Sequence, residues 1–262
     1  MIEWLSPKQF PKLLADQVHV WRVCLNHSPT TTPRFSGILS PDEQERAARF
    51  NFEKNRNQFI EARAALRFIL SGYLKLSPQE LEFSYGAYGK PALANGQSDN
   101  KLRFSLSRRD GLALIAVAYG REVGVDVEYV RPDLPLLEVA EASFSSAELA
   151  TLRSLPQHSR TAGFYNCWTR KEAYVKARGE GVSFPMKQFD VSLNPGAPAA
   201  LLEIRDDADE IDRWTLQELQ VSENYLGALA VEGANVSVAY WNWDWSQSAL
   251  VGGPTIQRST AA

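Results

Sequence analysis

Alternation of hydrophobic and polar residues along the chain predicts a series of β-strands. Two longer segments repeat their hydrophobic residues at helical spacing and predict helices, at residues 40–74 and around residues 164–176. The first begins with Ser-Pro-Asp-Glu, an N-cap pattern, and the second ends at Gly179 and Gly181. Strands are predicted at residues 17–25, 102–107, 112–118, 122–130, 189–193, 225–233 and 236–245.

The order of the predicted elements occurs twice, with a period of about 110 residues that is too long for a solenoid repeat. A serine N-cap opens a helical segment at Ser40, and another opens one at Ser145. Strands follow each of these segments. This order predicts an α+β fold of two similar halves, a pseudo-dimer in which each half packs a long helix on a small antiparallel sheet. We expect the halves at residues 1–121 and 122–245, a functional site in the cleft between them, and a flexible tail at residues 246–262.

The second long helix carries an unusual line of side chains along one face. Phe164, Trp168, Glu172 and Lys176 follow one another one turn apart, so two aromatic residues lead into a carboxylate and an ammonium group. For this helix taken alone, an ordinary Glu-to-Lys pair on an amphipathic surface is the simpler interpretation. We assign Trp168 to packing rather than to chemistry.

A second segment adds two more acids. In Glu122-Val-Gly-Val-Asp-Val-Glu-Tyr-Val the valines alternate with Gly124, Asp126 and Glu128, which predicts a strand with two carboxylates on one face. A solvated strand edge explains this segment alone about as well as a metal site does. Together with Glu172, however, the strand supplies three carboxylates, an oxygen-only donor set that suits Mg²⁺. Lys176 would then lie where it could neutralise a phosphate.

Composition and charge exclude several classes of protein. The 262 residues are 44% hydrophobic with a net charge of −3, which is typical of a globular protein and gives no support for nucleic-acid binding. No hydrophobic run approaches the roughly 18 residues of a membrane span, and the first residues lack an export signal, so we expect a cytoplasmic, monomeric protein without membrane contact. The two cysteines and three histidines show no spacing typical of disulfides or zinc sites.

Two motifs together carry a specific resemblance. Gly124-Val-Asp-Val-Glu128, followed by Trp168-Thr-Arg-Lys-Glu-Ala-Tyr-Val-Lys176, resembles the paired signature of the 4'-phosphopantetheinyl transferases. The resemblance is to the longer Sfp-type branch, especially its cyanobacterial members, and extends from about Leu39 to about Val231. It implies a fold like two fused copies of the short family members, with the metal at the junction of the halves.

The resemblance also implies a reaction. Such enzymes transfer the 4'-phosphopantetheine arm of coenzyme A to a serine of an apo acyl or peptidyl carrier protein, and release adenosine 3',5'-bisphosphate. It implies Mg²⁺ on Asp126, Glu128 and Glu172, with Lys176 adding positive charge at the departing phosphate. Glu172 is the implied base for the serine hydroxyl, either directly or through a water on the metal.

Coenzyme A contacts are implied at several further positions. Lys90-Pro91 matches the family's Lys-Pro motif near the nucleotide, and Arg46 matches the second of two basic positions that hold the 3'-phosphate. The first of those positions is Glu43 here, so we expect another arginine such as Arg49 to contribute.

The segment Phe104-Ser-Leu-Ser-Arg-Arg109 departs from the family pattern Phe-Asn-(Ile/Leu)-Ser-His. Ser107 is retained, Ser105 replaces asparagine, and Arg108 replaces a histidine that contacts phosphate. Arginine can still donate hydrogen bonds to a phosphate, but it is longer and permanently charged. Two alternatives therefore stay open beside the transferase: a Mg²⁺-dependent nucleotide pyrophosphohydrolase, and a coenzyme A-binding protein with weak or no catalysis.

Overall fold

The computed structural model describes residues 3–25, 35–94, 96–97, 101–131, 133–181, 184–205 and 207–251. Within these ranges the predicted α+β class is confirmed. The helices are α1 (Pro41–Ala48), α2 (Glu53–Leu74), α3 (Leu136–Ser143), α4 (Ser146–Ser154) and α5 (Gln157–Arg178). The strands are β1 (Gln17–Cys24), β2 (Phe83–Tyr85), β3 (Pro91–Leu93), β4 (Leu102–Arg109), β5 (Leu112–Tyr119), β6 (Val123–Tyr129), β7 (Phe189–Val191), β8 (Leu201–Ile204), β9 (Trp214–Ser222), β10 (Tyr225–Glu232) and β11 (Ser237–Trp243).

The strands form two larger sheets and two hairpins. The first sheet has the order β11-β1-β5-β4, and the second has the order β6-β10-β9. All pairings are antiparallel except that of β1 with β11. The short hairpins are β2-β3 and β7-β8.

The hydrophobic residues separate into three clusters that define four layers. One cluster joins α2 to one face of the first sheet, and a second joins α3, α4 and α5 to one face of the second sheet. The third lies between the two sheets and contains the valines at positions 123, 125 and 127 of β6. Because side chains alternate along a strand, the positions between these valines face α5.

Strand β11 corrects the predicted division of the chain. The sequence predicts that residues up to 245 belong to the second half, but β11 pairs in parallel with β1, with Val20 opposite Tyr240, and so completes the first sheet. Hydrophobic alternation indicates which residues form a strand but carries no information about its neighbour, especially for a parallel pair that needs a long crossover connection.

The flexible tail predicted at residues 246–262 begins too early in the sequence, because its first residues are folded. Residues Trp245–Val251 form a 3₁₀ helix, and the Trp245 ring stacks on Phe35 at 4.1 Å between ring centroids. Gln247 Nε2 donates a hydrogen bond to Pro7 O at 3.1 Å, and both Gln247 and Ser248 are buried. Residues 252–262 of the predicted tail lie outside the described ranges.

The two long helices end where local backbone chemistry stops them. Helix α2 ends at Leu74, before Lys75 in the left-handed conformation, and α5 ends at Arg178, before Gly179 with φ of 77°. The helix predicted at residues 40–74 is two helices, because the chain leaves helical geometry between α1 and the extended N-cap Phe52. In the described part of the chain no helix is long and apolar enough to cross a membrane.

Candidate active site

The face of β6 that carries Asp126 lies directly against α5 because position 124 is glycine. A Cβ atom at Gly124 would lie 2.0 Å from Ala173 O and 2.3 Å from Ala177 N, far inside van der Waals contact. Those alanines follow Glu172 and Lys176 in the helix. The close approach therefore brings the predicted acid and lysine over the strand that holds Asp126.

Asp126 connects strand β4, strand β6 and helix α5. Its side chain is almost fully buried, at 3% exposure. Asp126 Oδ1 accepts hydrogen bonds from Lys176 Nζ at 2.6 Å and from Ser107 Oγ at 2.8 Å, while Lys176 Nζ also reaches Ser107 Oγ at 3.0 Å. Asp126 Oδ2 is buried without a hydrogen-bond partner among the described residues. An unpaired buried carboxylate oxygen is costly, and a bound cation would satisfy it.

Two serine hydroxyls join the neighbouring edges of the two larger sheets. Ser105 Oγ accepts a hydrogen bond from Val125 N at 3.1 Å, and Ser107 Oγ accepts one from Val127 N at 3.4 Å. Both serines belong to β4 and both amides to β6. The serine at position 105, where the family pattern has asparagine, thus holds the Asp126 strand against β4.

Glu128 forms an ion pair with a residue that the sequence did not single out. Arg109 Nε lies 2.8 Å from Glu128 Oε2, and the side chains are 43% and 16% exposed. Burial, followed by the negative charge of Asp126, raises the pKa of Glu128 to about 7 even though Arg109 and Lys176 oppose the shift.

Glu172 is half-buried and makes no hydrogen bond or ion pair within the described residues. Burial, with a further contribution from the charge of Asp126, raises its pKa, and Lys176 opposes the rise. Further up the same helix face, Trp168 stacks on Phe164 at 6.0 Å between ring centroids, as expected of a packing residue. The line predicted from the sequence is therefore present, with its polar end at Asp126.

The three acids are close enough to perturb one another, since Asp126 raises the pKa values of both glutamates and Glu172 raises that of Glu128. Their donor atoms do not converge on one point in this conformation, because no cluster of three His, Cys, Asp or Glu residues within the described ranges is arranged to hold a metal. Lys176 and Arg109 instead pair with two of the acids. The donor set itself fits Mg²⁺: it is all oxygen, carries excess negative charge, and includes one buried oxygen without a partner.

Two contiguous cavities, each of about 220 Å³, extend from Lys176 toward α1. Gly89, Pro91 and Leu106 line both. The nearer cavity reaches Lys176 and Gly179, and the farther one reaches the first-half arginines discussed next. A larger cavity of about 510 Å³ lies between the N-terminal segment and the end of α2 and contains none of the predicted site residues.

Arg46 and Arg108 meet at the far cavity. The Arg108 guanidinium lies over the rings of Phe50 and Phe59, at 5.3 and 5.7 Å from their centroids, and Arg46 lies 5.7 Å from the Phe59 ring. Neither arginine forms an ion pair with a carboxylate of the described residues. Burial, and then repulsion from Arg46, lowers the pKa of Arg108. Two neighbouring guanidinium groups without a carboxylate form a site for an anion.

Glu43 and Arg49 have other environments. Glu43 is buried, completes a capping box with Ser40, and pairs with Arg63 and, at 2.7 Å, with Arg67. Glu43 thus anchors α1 on α2. This role explains why the chain has an acidic residue at a position where the family pattern has a basic one. Arg49 is exposed at the end of α1 and lines neither of the two contiguous cavities.

The ammonium group of Lys90 is engaged within the protein. Lys90 Nζ donates to Glu122 Oε2 at 2.8 Å and to Ala177 O, at the end of α5, at 2.7 Å. Glu122 Oε1 in turn accepts from Arg103 Nε at 2.7 Å. Burial lowers the pKa of Lys90, against the effect of Glu122. Lys90 lines the nearer cavity, and Pro91 lines both.

Lys171 is a further residue that the sequence reading missed. It lies inside the second motif, beside Glu172, but its ammonium is buried and pairs with the equally buried Glu148 at 2.9 Å. It also donates to the carbonyls of Met186 and Phe189. The sequence could have indicated this residue, because Lys171 lies beside Glu172 on a helix face that is otherwise apolar.

Comparison with known proteins shows the family of the chain. The family model described as "4'-phosphopantetheinyl transferase superfamily" matches residues 122–230, and that described as "4'-phosphopantetheinyl transferase, N-terminal" matches residues 28–119. The chain is 37% identical over 240 residues to the 4'-phosphopantetheinyl transferase HetI of Nostoc sp., a match that covers 92% of this chain and 98% of that protein. The chain belongs to the 4'-phosphopantetheinyl transferase superfamily.

More distant relatives support the same assignment. The 4'-phosphopantetheinyl transferase Sfp of Bacillus subtilis is 28% identical, over 62% of this chain and 69% of that protein. The human L-aminoadipate-semialdehyde dehydrogenase-phosphopantetheinyl transferase is 24% identical, over 74% of this chain and 67% of that protein. The family predicted from the two motifs is thereby confirmed, and with it the prediction that this protein is a phosphopantetheinyl-transferring enzyme.

Proposed function

We propose that this 4'-phosphopantetheinyl transferase works with Mg²⁺ held by Asp126, Glu128 and Glu172, and that its active site lies between two halves arranged as a pseudo-dimer. The observation that carries the proposal is that two neighbouring carboxylates, Asp126 and Glu172, have oxygens without a partner among the described residues. Asp126 is fixed through one oxygen by Ser107 and Lys176, and its second, buried oxygen has no partner among the described residues. The carboxylate of Glu172 also has no partner within that part of the chain. Support for a site between the halves is that β4 contributes Ser107 and β6 contributes Asp126, while α5 contributes Glu172 and Lys176.

The ion, when bound, supplies charge that stabilises the pyrophosphate of coenzyme A in the transition state. The serine Oγ of the carrier protein attacks the phosphorus that bears pantetheine, a new P–O bond forms, and the P–O bond to the second phosphate breaks. Adenosine 3',5'-bisphosphate leaves with the bonding electrons. Lys176, once it exchanges Asp126 for phosphate, neutralises that leaving group.

Glu172 is the proposed acceptor of the serine proton. Its carboxylate has no hydrogen-bond partner among the described residues, which leaves its oxygens accessible to a hydroxyl group. The proton moves from the serine Oγ to Glu172 as the new P–O bond forms. The carboxyl group returns the proton to solvent after the products leave.

Coenzyme A is proposed to occupy the two contiguous cavities. Its 3'-phosphate lies between Arg46 and Arg108, where two guanidinium groups lack a carboxylate, and its adenine contacts Pro91 and the stem of Lys90. The chain from the adenosine to the pyrophosphate then leads toward Lys176, which lines the nearer cavity. Arg49, which lines neither cavity, is left out of this proposal.

The natural acceptor is proposed to be an apo acyl or peptidyl carrier protein in the cytoplasm, modified by a monomeric enzyme. The free thiols of Cys24 and Cys167 suit a reducing compartment. Size-exclusion chromatography with light scattering checks the monomeric state.

Intact-mass measurement of several apo carriers incubated with coenzyme A and Mg²⁺ tests the function. We expect the mass of a phosphopantetheine arm on at least one carrier and its loss with Asp126→Asn. Release of adenosine 3',5'-bisphosphate from coenzyme A without any carrier would favour the pyrophosphohydrolase instead. Coenzyme A binding without modification of any carrier would favour the weak or inactive binding protein.

A further inference from the structure

Arg109 has no part in the proposed reaction, yet it pairs with one of the three acids. It is the last residue of β4, and its Nε lies 2.8 Å from Glu128 Oε2 and 4.0 Å from Asp110 Oδ2. Glu128 therefore already has a cationic partner supplied by the chain. The same is true of Asp126, whose Oδ1 is held by Lys176 at 2.6 Å.

Lys176 and Arg109 differ in where their charged groups can move once a metal ion binds. Lys176 lines a coenzyme A cavity and has a phosphate to move to. Arg109 lines neither of the two contiguous cavities. The Arg109 side chain is much more exposed than that of Glu128, 43% against 16%, so the guanidinium can turn into solvent without a large loss of hydration.

We propose that Arg109 is a resident counter-ion that competes with the divalent metal for Glu128 and so lowers the metal affinity of the site. The inference rests on the metal site of the proposed function. A guanidinium on Glu128 must be displaced or must share the carboxylate before Glu128 can coordinate a metal ion. An exposed pair of this kind contributes modestly, which corresponds to an effect of about two- to fivefold on a dissociation constant.

The test measures Mn²⁺ binding to the full chain by electron paramagnetic resonance, without coenzyme A or carrier, so that turnover plays no part. Arg109→Met should bind Mn²⁺ about two- to fivefold more tightly than the parent chain. Arg109→Lys keeps the charge and should stay close to the parent. Arg153→Met is the matched control, because Arg153 is 53% exposed and pairs with Glu141 at 2.5 Å on α3, outside the acid cluster.

Glu128→Gln separates competition for one carboxylate from general repulsion. In that background Arg109→Met should leave the Mn²⁺ dissociation constant nearly unchanged. An undiminished gain there, or no gain in the parent background, overturns the counter-ion role while the metal site stands. Mn²⁺ binding that is absent from the parent, or insensitive to Glu172→Gln, overturns the proposed metal site itself. Circular dichroism of each variant verifies that the compared chains are folded.

Discussion

Replacing Gly124 by alanine is expected to separate Asp126 and Glu128 on β6 from Glu172 and Lys176 on α5 without changing any of these four residues. The added Cβ would lie 2.0 Å from Ala173 O and 2.3 Å from Ala177 N. Both are backbone atoms, so no side-chain rotation can relieve the contact. Ordinary contact begins at 3.4 Å, so β6 and α5 must move apart by about 1.4 Å.

That displacement has two calculable consequences. Overpacking of this kind costs about 1–3 kcal/mol in the free energy of unfolding. The hydrogen bond from Lys176 Nζ to Asp126 Oδ1, now 2.6 Å, is stretched or broken, and misplacement of a reacting group by about 1 Å can reduce turnover by about 10²-fold. Because Arg46 and Arg108 lie on other elements, KM for coenzyme A should change much less than kcat.

Carrier modification kinetics and urea unfolding measure these two effects. Gly163→Ala is the control, because Gly163 also lies on α5. Its added Cβ would lie 2.5 Å from Leu155 Cδ1, a side-chain atom that can move away. We expect that variant to retain activity. If Gly124→Ala kept both the parent kcat and the parent unfolding midpoint, the close approach of β6 and α5 would not position the site and our reasoning would fail.

Four further outcomes are expected. Glu172→Gln should leave coenzyme A binding, measured by calorimetry, nearly intact and lower kcat by orders of magnitude, because it removes both a metal ligand and the base; turnover at the parent rate would contradict this role. Arg108→Ala should weaken coenzyme A binding by about 1.5–3 kcal/mol, whereas a dephospho-coenzyme A lacking the 3'-phosphate should bind parent and variant alike. Burial lowers the pKa of His19 to about 4, so the unfolded chain takes up a proton below pH 6.5 that the folded chain does not. Stability should therefore fall by about 2 kcal/mol between pH 7 and pH 5 in urea unfolding, and His19→Gln should remove that part of the pH dependence. Lys171→Met should destabilise by about 3–5 kcal/mol by leaving the Glu148 carboxylate buried and unpaired, and a second change, Glu148→Gln, should recover part of the loss if the pair is the cause.

The motif residues could be predicted from the sequence because each lies on an element with a clear period. Alternation placed Asp126 and Glu128 on one face of β6, and helical spacing placed Glu172 and Lys176 on one face of α5. The resemblance to a known family connected the two segments. Neither period could specify the close contact at Gly124, which depends on a distance between two elements.

Partners that are far apart in the sequence could not be predicted. The motif match predicted Lys90 near the nucleotide, but it did not indicate that the ammonium group binds Glu122 and the carbonyl of Ala177 at the end of α5. Nothing in the sequence around Arg109 indicated Glu128 as its partner. Long charged side chains reach several angstroms in any direction, so their partners are set by the packing of the sheets and not by local pattern.

By itself, the sequence determined the α+β class, the strand and the helix that bear the acids, and the family. Those properties depend on residue order within one segment, where backbone geometry imposes fixed periods. Only the tertiary structure decided that β11 closes the first sheet, that Ser105 and Ser107 join the two sheet edges, and that Lys176 and Arg109 neutralise two of the acids. These features depend on contacts between segments, which form when the layers pack and leave no periodic trace in the chain.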